Sequence, residues 1–273
     1  MSDQVTPKQK SFYEDWGYTV LRGVLSQEQV KQVNHSFHQV WIDLLRSGEI
    51  VQDADNPVES LFPRLRDNHL TRPDIAELLL SDAIFDIAST LLAEEALAIS
   101  SSYYFKAPGT RGLPMHQDNY SVGAAPGTTC SIWVSLGHSN EVNGGVYVVP
   151  GSHKLGLLKP ELAESSLSEY GEKLELPQGY EKLQLELFPG DAVAFHGNLV
   201  HGSGENREKS RFRHAHVTHF TGVSARSVNI NHNTLMNRQG ERVRRRLNTA
   251  PKLKNDTLKG TEWSGIGGSP PWK

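Results

Sequence analysis
A single cysteine, Cys130, and three methionines are all the sulfur this chain contains. One thiol cannot close an intramolecular disulfide, nor can it build a multi-cysteine metal cage. Charge of one sign is also scarce: 28 Lys and Arg stand against 31 Asp and Glu, for a formal net charge of −3. A chain so balanced has no overall field to gather nucleic acid or an acidic membrane surface, so neither is expected as a partner. Long apolar runs are missing as well. No uninterrupted stretch approaches the roughly 20 residues that a membrane span needs, and the opening MSDQVTPKQK lacks the apolar heart of a secretory signal. The expectation is a cytoplasmic protein. Composition says nothing of its oligomeric state.

What is present changes texture along the chain. Residues 6–50 read as helical, with Phe12, Trp16, Val24 and Leu25 flanking a break at Gly23, and with Ser26 placed to cap an amphipathic stretch through Leu45. TRPDIAELLLSDAIFDIASTLL reads as two more short helices, one starting near Pro73 and one near Ser81 and Asp82. From Ala98 onward come runs such as AISSSYYFKAP, TTCSIWVSLG, GVYVVPGSH, LQLELFPG, DAVAFHG and FRHAHVTHF. They are rich in β-branched and aromatic residues and are separated by turn signals, as in a barrel or sandwich. No linker divides the chain. A single domain over 1–273 is expected: helical over about 1–95, β-rich over about 96–230, polar and basic over about 231–273.

Twelve histidines are the chemical asset. In MHQDNY, His116 and Asp118 stand one residue apart, and on a strand positions i and i+2 share a face, so both could grip one object. Two imidazoles and one carboxylate on one side of a metal leave neighbouring positions open, the arrangement of non-haem Fe(II) oxygenases. A third ligand must come from His138, His153, His196, His201, His214, His216, His219 or His232. His201, in LVHGSG, is followed at once by glycine, as suits a strand ending near its metal; His196 follows an equally good strand five residues earlier.

In this order the pieces resemble the phytanoyl-CoA dioxygenase family of Fe(II)/2-oxoglutarate-dependent oxygenases. The resemblance spans nearly the whole chain, through FYEDWGYTVLRGVLSQEQV, YYFKAPG, HQD, NGGVYVVPGSHKLG, PGDAVAFHGNLVHGSGEN and RFRHA. It implies a mainly β fold with flanking helices, built on a double-stranded β-helix (jelly-roll, cupin-like) core. The cofactors it implies are Fe(II), 2-oxoglutarate and O2, with ascorbate as a supporting reductant. His116, Asp118 and His201 are then the iron ligands and catalytic centre, and the presence of Asp118 argues for hydroxylation, because related halogenases carry a small residue there. The F-R-x-A context assigns the distal carboxylate of 2-oxoglutarate to Arg213, with Arg211 as its rival. Ser203, Trp133, Gln117 and Lys106 complete the expected co-substrate contacts.

Tyr104, Asn119, Tyr120 and the NINHN stretch are the candidate substrate contacts, and they suit a small polar metabolite: an aminoalkyl phosphonate such as 2-aminoethylphosphonate, or an amino-acid-like compound. The alternatives are an acyl-CoA or natural-product intermediate undergoing hydroxylation, desaturation or cyclisation, and, last, a non-catalytic cupin-like metal-binding module. The basic run 238–254 reads as a solvated helical face, with contact to an anionic substrate group as the lesser reading.

Overall fold
The computed structural model describes residues 5–162, 172–232 and 234–248. Helix α1 (Pro7–Trp16) opens with a capping box, in which the Thr6 hydroxyl accepts from Gln9 N and the Gln9 side chain returns to Thr6 N. It stops at Gly17, whose φ of 80° suits glycine and where a Cβ would collide with His153. The next residues correct the all-helical reading of 6–50. YTVL forms strand β1 (Tyr18–Leu21), paired antiparallel with residues 192–195. The β-formers Tyr18, Thr19 and Val20, held between Gly17 and Gly23, are too short a run for a helix and find a sheet edge instead.

Helix α2 (Gln27–Ser47) starts where Ser26 signals it, again with a capping box, to Gln29. After α3 (Pro57–Leu61) and the short β2 (Leu65–Arg66), Pro73 and Ser81 mark the starts of α4 (Pro73–Leu79) and α5 (Asp82–Leu92).

The chain then turns to strands: β3 (Ala96–Tyr104), β4 (Leu113–His116), β5 (Thr129–Ser135) and β6 (Val146–Val148), with α6 (Asp118–Val122) between β4 and β5. Next come β7 (Glu161–Leu162), β8 (Glu172–Lys173), β9 (Leu183–Gln184), β10 (Ala192–His196), β11 (His201–Ser203) and β12 (Ala215–Gly222). The last are β13 (Ser227–Asn229), β14 (Leu235–Met236), β15 (Arg242–Val243) and β16 (Arg246–Asn248). One sheet runs β1-β10-β5-β12-β3-β14-β15, with β2 alongside β3; a smaller sheet runs β4-β11-β6-β9. Together they form the double-stranded β-helix, with the helices packed outside.

Period-two alternation divides the core. On β5 and β10, Cys130, Ile132, Val134, Ala192 and Ala194 face outward, onto Phe37, Phe85 and Ile87 of the helices. Trp133, Val193 and Phe195 face inward, where they meet Val146, Val148 and Leu187 of the opposite wall. Both faces are buried, so β10 reads as apolar text from Ala192 to Phe195, and β5 is broken only by the buried hydroxyls of Thr129, Ser131 and Ser135 on its inward parity.

The basic run is not the helix expected for 238–254. Residues 242–243 and 246–248 are strands, and some of the charges are tied down at the surface: Arg245 Nη2 donates to Val223 O at 3.0 Å, and Arg238 pairs with Asp82 and Asp86. Residues 249–254 lie outside the described residues.

Candidate active site
Strand β4 ends at His116 and β11 begins at His201, and the ladder between them sets the two histidines opposite each other. Their ring centroids lie 4.2 Å apart. Asp118 arrives differently from the expectation of one shared strand. The strand stops at His116, Gln117 turns the chain, and Asp118 is the first residue of α6. The turn still delivers the carboxylate: Asp118 Oδ1 lies 3.6 Å from His116 Nε2 and 3.7 Å from His201 Nε2. One donor atom from each of the three residues falls within 4.8 Å of the others, a grouping able to hold a metal ion.

Each imidazole is aimed by its own chain. His116 Nδ1 lies 2.8 Å from Pro114 O and His201 Nδ1 lies 3.0 Å from Leu199 O. A carbonyl can only accept, so Nδ1 carries the proton and Nε2 offers its lone pair to the shared centre. Burial, then the neighbouring His201, push the His116 imidazole down to about 4. Burial alone would raise the Asp118 carboxyl, but the imidazoles of His219 and His201 outweigh it and hold that carboxyl well below the usual range. Neutral imidazole and ionised carboxylate are the forms that bind a divalent cation.

Behind Asp118 lies a relay that reading the sequence missed. Oδ2 accepts from Ser131 Oγ at 2.5 Å, and Ser131 Oγ in turn lies 2.7 Å from His219 Nδ1. His219 and Ser131 are register partners between β12 and β5. His196 belongs elsewhere: its ring lies 6.3 Å from Tyr13 and 5.2 Å from His153, on the helix-facing side.

Beside the triad sits a second constellation. Arg213 is only 2% exposed, and its Nη2 donates to Gly144 O at 3.1 Å, while its Nε and Nη1 have no hydrogen-bond partner. Burial pulls its guanidinium down to about 10, which leaves it charged at neutral pH. The Trp133 ring lies 5.4 Å from that cation. A buried cation with two donors unspent is costly, and an anion of matching fork geometry would relieve it. Arg211 is exposed, and residues 211–214 precede β12 as irregular chain.

Lys106 O accepts from Arg213 N at 3.1 Å, and Lys106 Nζ donates to Ser203 Oγ at 3.0 Å. Between His201 and Ser203, Gly202 passes so close to the neighbouring strands that a Cβ would meet Tyr147 Oη at 2.5 Å and Leu113 O at 2.8 Å. Arg213, Lys106, Ser203 and Trp133 therefore come together.

Gln117 does not join them, which corrects its expected co-substrate role. Its amide hydrogens are spent on Gly156 O and Asn198 O, and its Oε1 accepts from Leu158 N. An odd position between two residues that converge on one centre points away from it, and here it braces the flanking loops. Asn119, expected at the substrate, instead closes the end of α6 by accepting from Ala124 N at 3.0 Å. Tyr104 is half-buried and accepts from Arg64 Nη1 at 3.4 Å, and Tyr120 is half-buried on α6. In NINHN, residues 230–232 form one 3-10 turn with His232 buried, and Asn233 lies outside the described residues.

Among the described residues no helix is long and apolar enough to cross a membrane. The phytanoyl-CoA dioxygenase of Arabidopsis thaliana is 24% identical over 264 residues, an alignment that covers 80% of this chain and 89% of that protein. The crystal structure of EctD from S. alaskensis with bound Fe matches with a TM-score of 0.68 at 22% identity, over 92% of this chain and 89% of that one. The carbocyclase SnoK from nogalamycin biosynthesis matches with a TM-score of 0.65 at 21% identity, over 86% and 87%. These two structures share the fold. The sequence model of the phytanoyl-CoA dioxygenase (PhyH) family matches residues 13–215, from α1 to the start of β12. Spanning as it does the triad and the Arg213 loop, that match means the chain belongs to the phytanoyl-CoA dioxygenase family of 2-oxoglutarate-dependent non-haem iron oxygenases.

Proposed function
We propose that this oxygenase hydroxylates a C–H bond of a small polar metabolite, holding Fe(II) on His116, Asp118 and His201 and the distal carboxylate of 2-oxoglutarate on Arg213. The observation that carries this reading is the buried Arg213 guanidinium with Nε and Nη1 unpartnered, beside a His–Asp–His grouping of donors. Charge supports it: a ferrous ion, Arg213 and the buried Lys106 would bring four positive charges against the single negative charge of Asp118, so the pocket favours a co-substrate with two carboxylates.

When bound, iron and 2-oxoglutarate supply the oxidising chemistry, consuming O2 and releasing succinate and CO2 along with the hydroxylated product. The chain's own work is placement. His116 and His201 present Nε2, Asp118 presents Oδ1, and a set of three protein ligands leaves positions for co-substrate and O2. Ser203 and Trp133 line the co-substrate beside Arg213, with the Lys106 ammonium on the Ser203 hydroxyl as a second cation. Phe195, whose ring centroid lies 4.3 Å from that of His201, backs the site with apolar surface that keeps bulk water away. Tyr104 and Tyr120 stand at the substrate side, where an aminoalkyl phosphonate or an amino-acid-like compound is the class proposed.

Adding Fe(II) and then 2-oxoglutarate to the oxygen-free protein tests the reading. A visible charge-transfer band is expected, and a folded protein that lacks it would overturn the assignment. The name of the Arabidopsis relative favours a second reading, with an acyl-CoA thioester as substrate; succinate release on a panel of both classes decides between them.

A further inference from the structure
We propose that the substrate carries an oxyanion, of carboxylate or phosphonate type, and that Arg64 and Arg66 anchor it at the β2 margin of the site. This rests on the oxygenase reading above and names the substrate class for it.

The inner face of the larger sheet is a grid of registered rows. Across β5, β12 and β3 the first row is Ser131–His219–Ser100; the second, reaching β2, is Trp133–Val217–Ser102–Arg66; the third is Ser135–Ala215–Tyr104. Residues two apart on a strand share a face, so the rows stack on one surface. His219 in the first row lies 3.4 Å from Asp118, which makes that row the metal end. Trp133 in the second row meets Arg213, which marks β5 as the co-substrate side. On the other side of β12 the floor carries only the small Ser100 and Ser102 until it reaches Arg66.

Arg64 leans onto the third row, with its Nη1 3.4 Å from Tyr104 Oη and its guanidinium 5.8 Å from the Tyr104 ring centre. Arg64 and Arg66 flank Leu65, whose register partner is Tyr103, so both arginines take the parity of the inner face, with Arg66 exposed at its margin. The neighbouring acid, Asp67, accepts from Ser101 N at 2.8 Å through Oδ1, and its negative charge offsets part of the repulsion by Arg64 at Arg66. The C-terminal segment contributes His232, in the 3-10 turn after β13. It is buried with Nδ1 unpartnered, and after burial its imidazole is lowered by His219, then by Arg66.

An oxyanion reaching both guanidinium groups gains charge-assisted hydrogen bonds of the planar, two-pronged kind that Arg favours. The distance argues for size. From the first row to Arg66 is two residues along a strand and two strands across, on the order of 10 Å between backbones. A molecule anchored there puts a carbon at the metal end only if it is short, so the chemistry fits a small zwitterionic or anionic metabolite.

Three compounds with the same aminoethyl body separate the anion from the rest: 2-aminoethylphosphonate, β-alanine and ethanolamine. They are titrated calorimetrically into the protein under nitrogen, with Fe(II) and saturating 2-oxoglutarate present so that Arg213 is occupied. At least one of the two anions is expected to bind and ethanolamine is not. Arg66→Gln weakens that binding about tenfold or more, the Arg64→Gln, Arg66→Gln double variant removes it, and Arg66→Lys restores part. Circular dichroism verifies that each variant is folded. Loss of the 2-oxoglutarate band in the wild-type protein overturns the oxygenase reading. A normal band with neither anion binding, or with equal binding in the double variant, overturns the anchor alone.

Discussion

The hydroxyl of Ser131 donates to Oδ2 of Asp118 across 2.5 Å, and the imidazole of His219 lies 2.7 Å behind that hydroxyl. One carboxylate oxygen is thereby tied to the sheet, and Oδ1 is left facing His116 and His201. Outer partners of this kind fix a ligand's orientation, and losing one costs about 10–100-fold in metal affinity. Ser131→Ala is expected to weaken Fe(II) binding by that amount, with Ser131→Thr recovering most of it. Direct Fe(II) titration under nitrogen is the check; unchanged affinity in Ser131→Ala would remove Ser131 from the site.

His116→Ala, Asp118→Ala and His201→Ala are each expected to abolish succinate release, since each deletes one of three proposed ligands. His196→Ala is expected to keep most of it. That imidazole accepts from Asn198 N at 3.1 Å on the helix-facing side, so its removal costs about 1 kcal/mol of stability and leaves the metal alone. Equal loss at position 196 would transfer the third ligand's role there.

Arg213→Gln is expected to raise the KM for 2-oxoglutarate at least roughly thirtyfold, the equivalent of about 2 kcal/mol for one partner of a buried charge pair. Arg211 is exposed, and Arg211→Gln is expected to leave that KM within about twofold. Steady-state succinate assays against 2-oxoglutarate concentration compare the two; the opposite order would exchange their roles.

Away from the site, Asp191 joins β1 to β10. Its Oδ2 accepts from Arg22 Nη1 at 2.6 Å and Phe188 N at 3.0 Å, and its Oδ1 accepts from Gly23 N at 3.0 Å. Burial alone would raise this carboxyl, but the donors of Phe188 and Arg22 outweigh it, so its pKa is lowered. A lowered pKa gives stability that is present above the unfolded value, near about 4, and is lost as pH falls through the folded value. Asp191→Asn is expected to cost about 1–3 kcal/mol at pH 7. Thermal melts should show the gap from wild type narrowing below about pH 4; a gap constant to low pH would mean that the charge contributes nothing.

Much of this was legible in the text of the chain. Ser26, Pro73 and Ser81 announce their helices, because a cap or a proline at the first turn has one local meaning. The triad was readable as H-x-D plus a distant histidine, although its geometry comes from a strand-to-helix turn. Choosing between His196 and His201 needed to know which strand face met the helices, a fact of packing. Arg211 and Arg213 differ through burial of an irregular segment, to which no periodicity applies. Ser131 and His219 did carry a signal: both lie on the inward parity of β5 and β12, as Trp133 and Val217 do. It becomes meaningful only once the register is known.

The strict parity of β5 and β12 makes the molecule modular in depth. Even positions such as Ile132 and Val134 glue the barrel to its helical coat, and odd positions such as Ser131 and Trp133 face Asp118 and Arg213 of the proposed site. An engineer could therefore retool the inward floor at Ser100, Ser102 and Val217 without loosening a single joint of the outer shell.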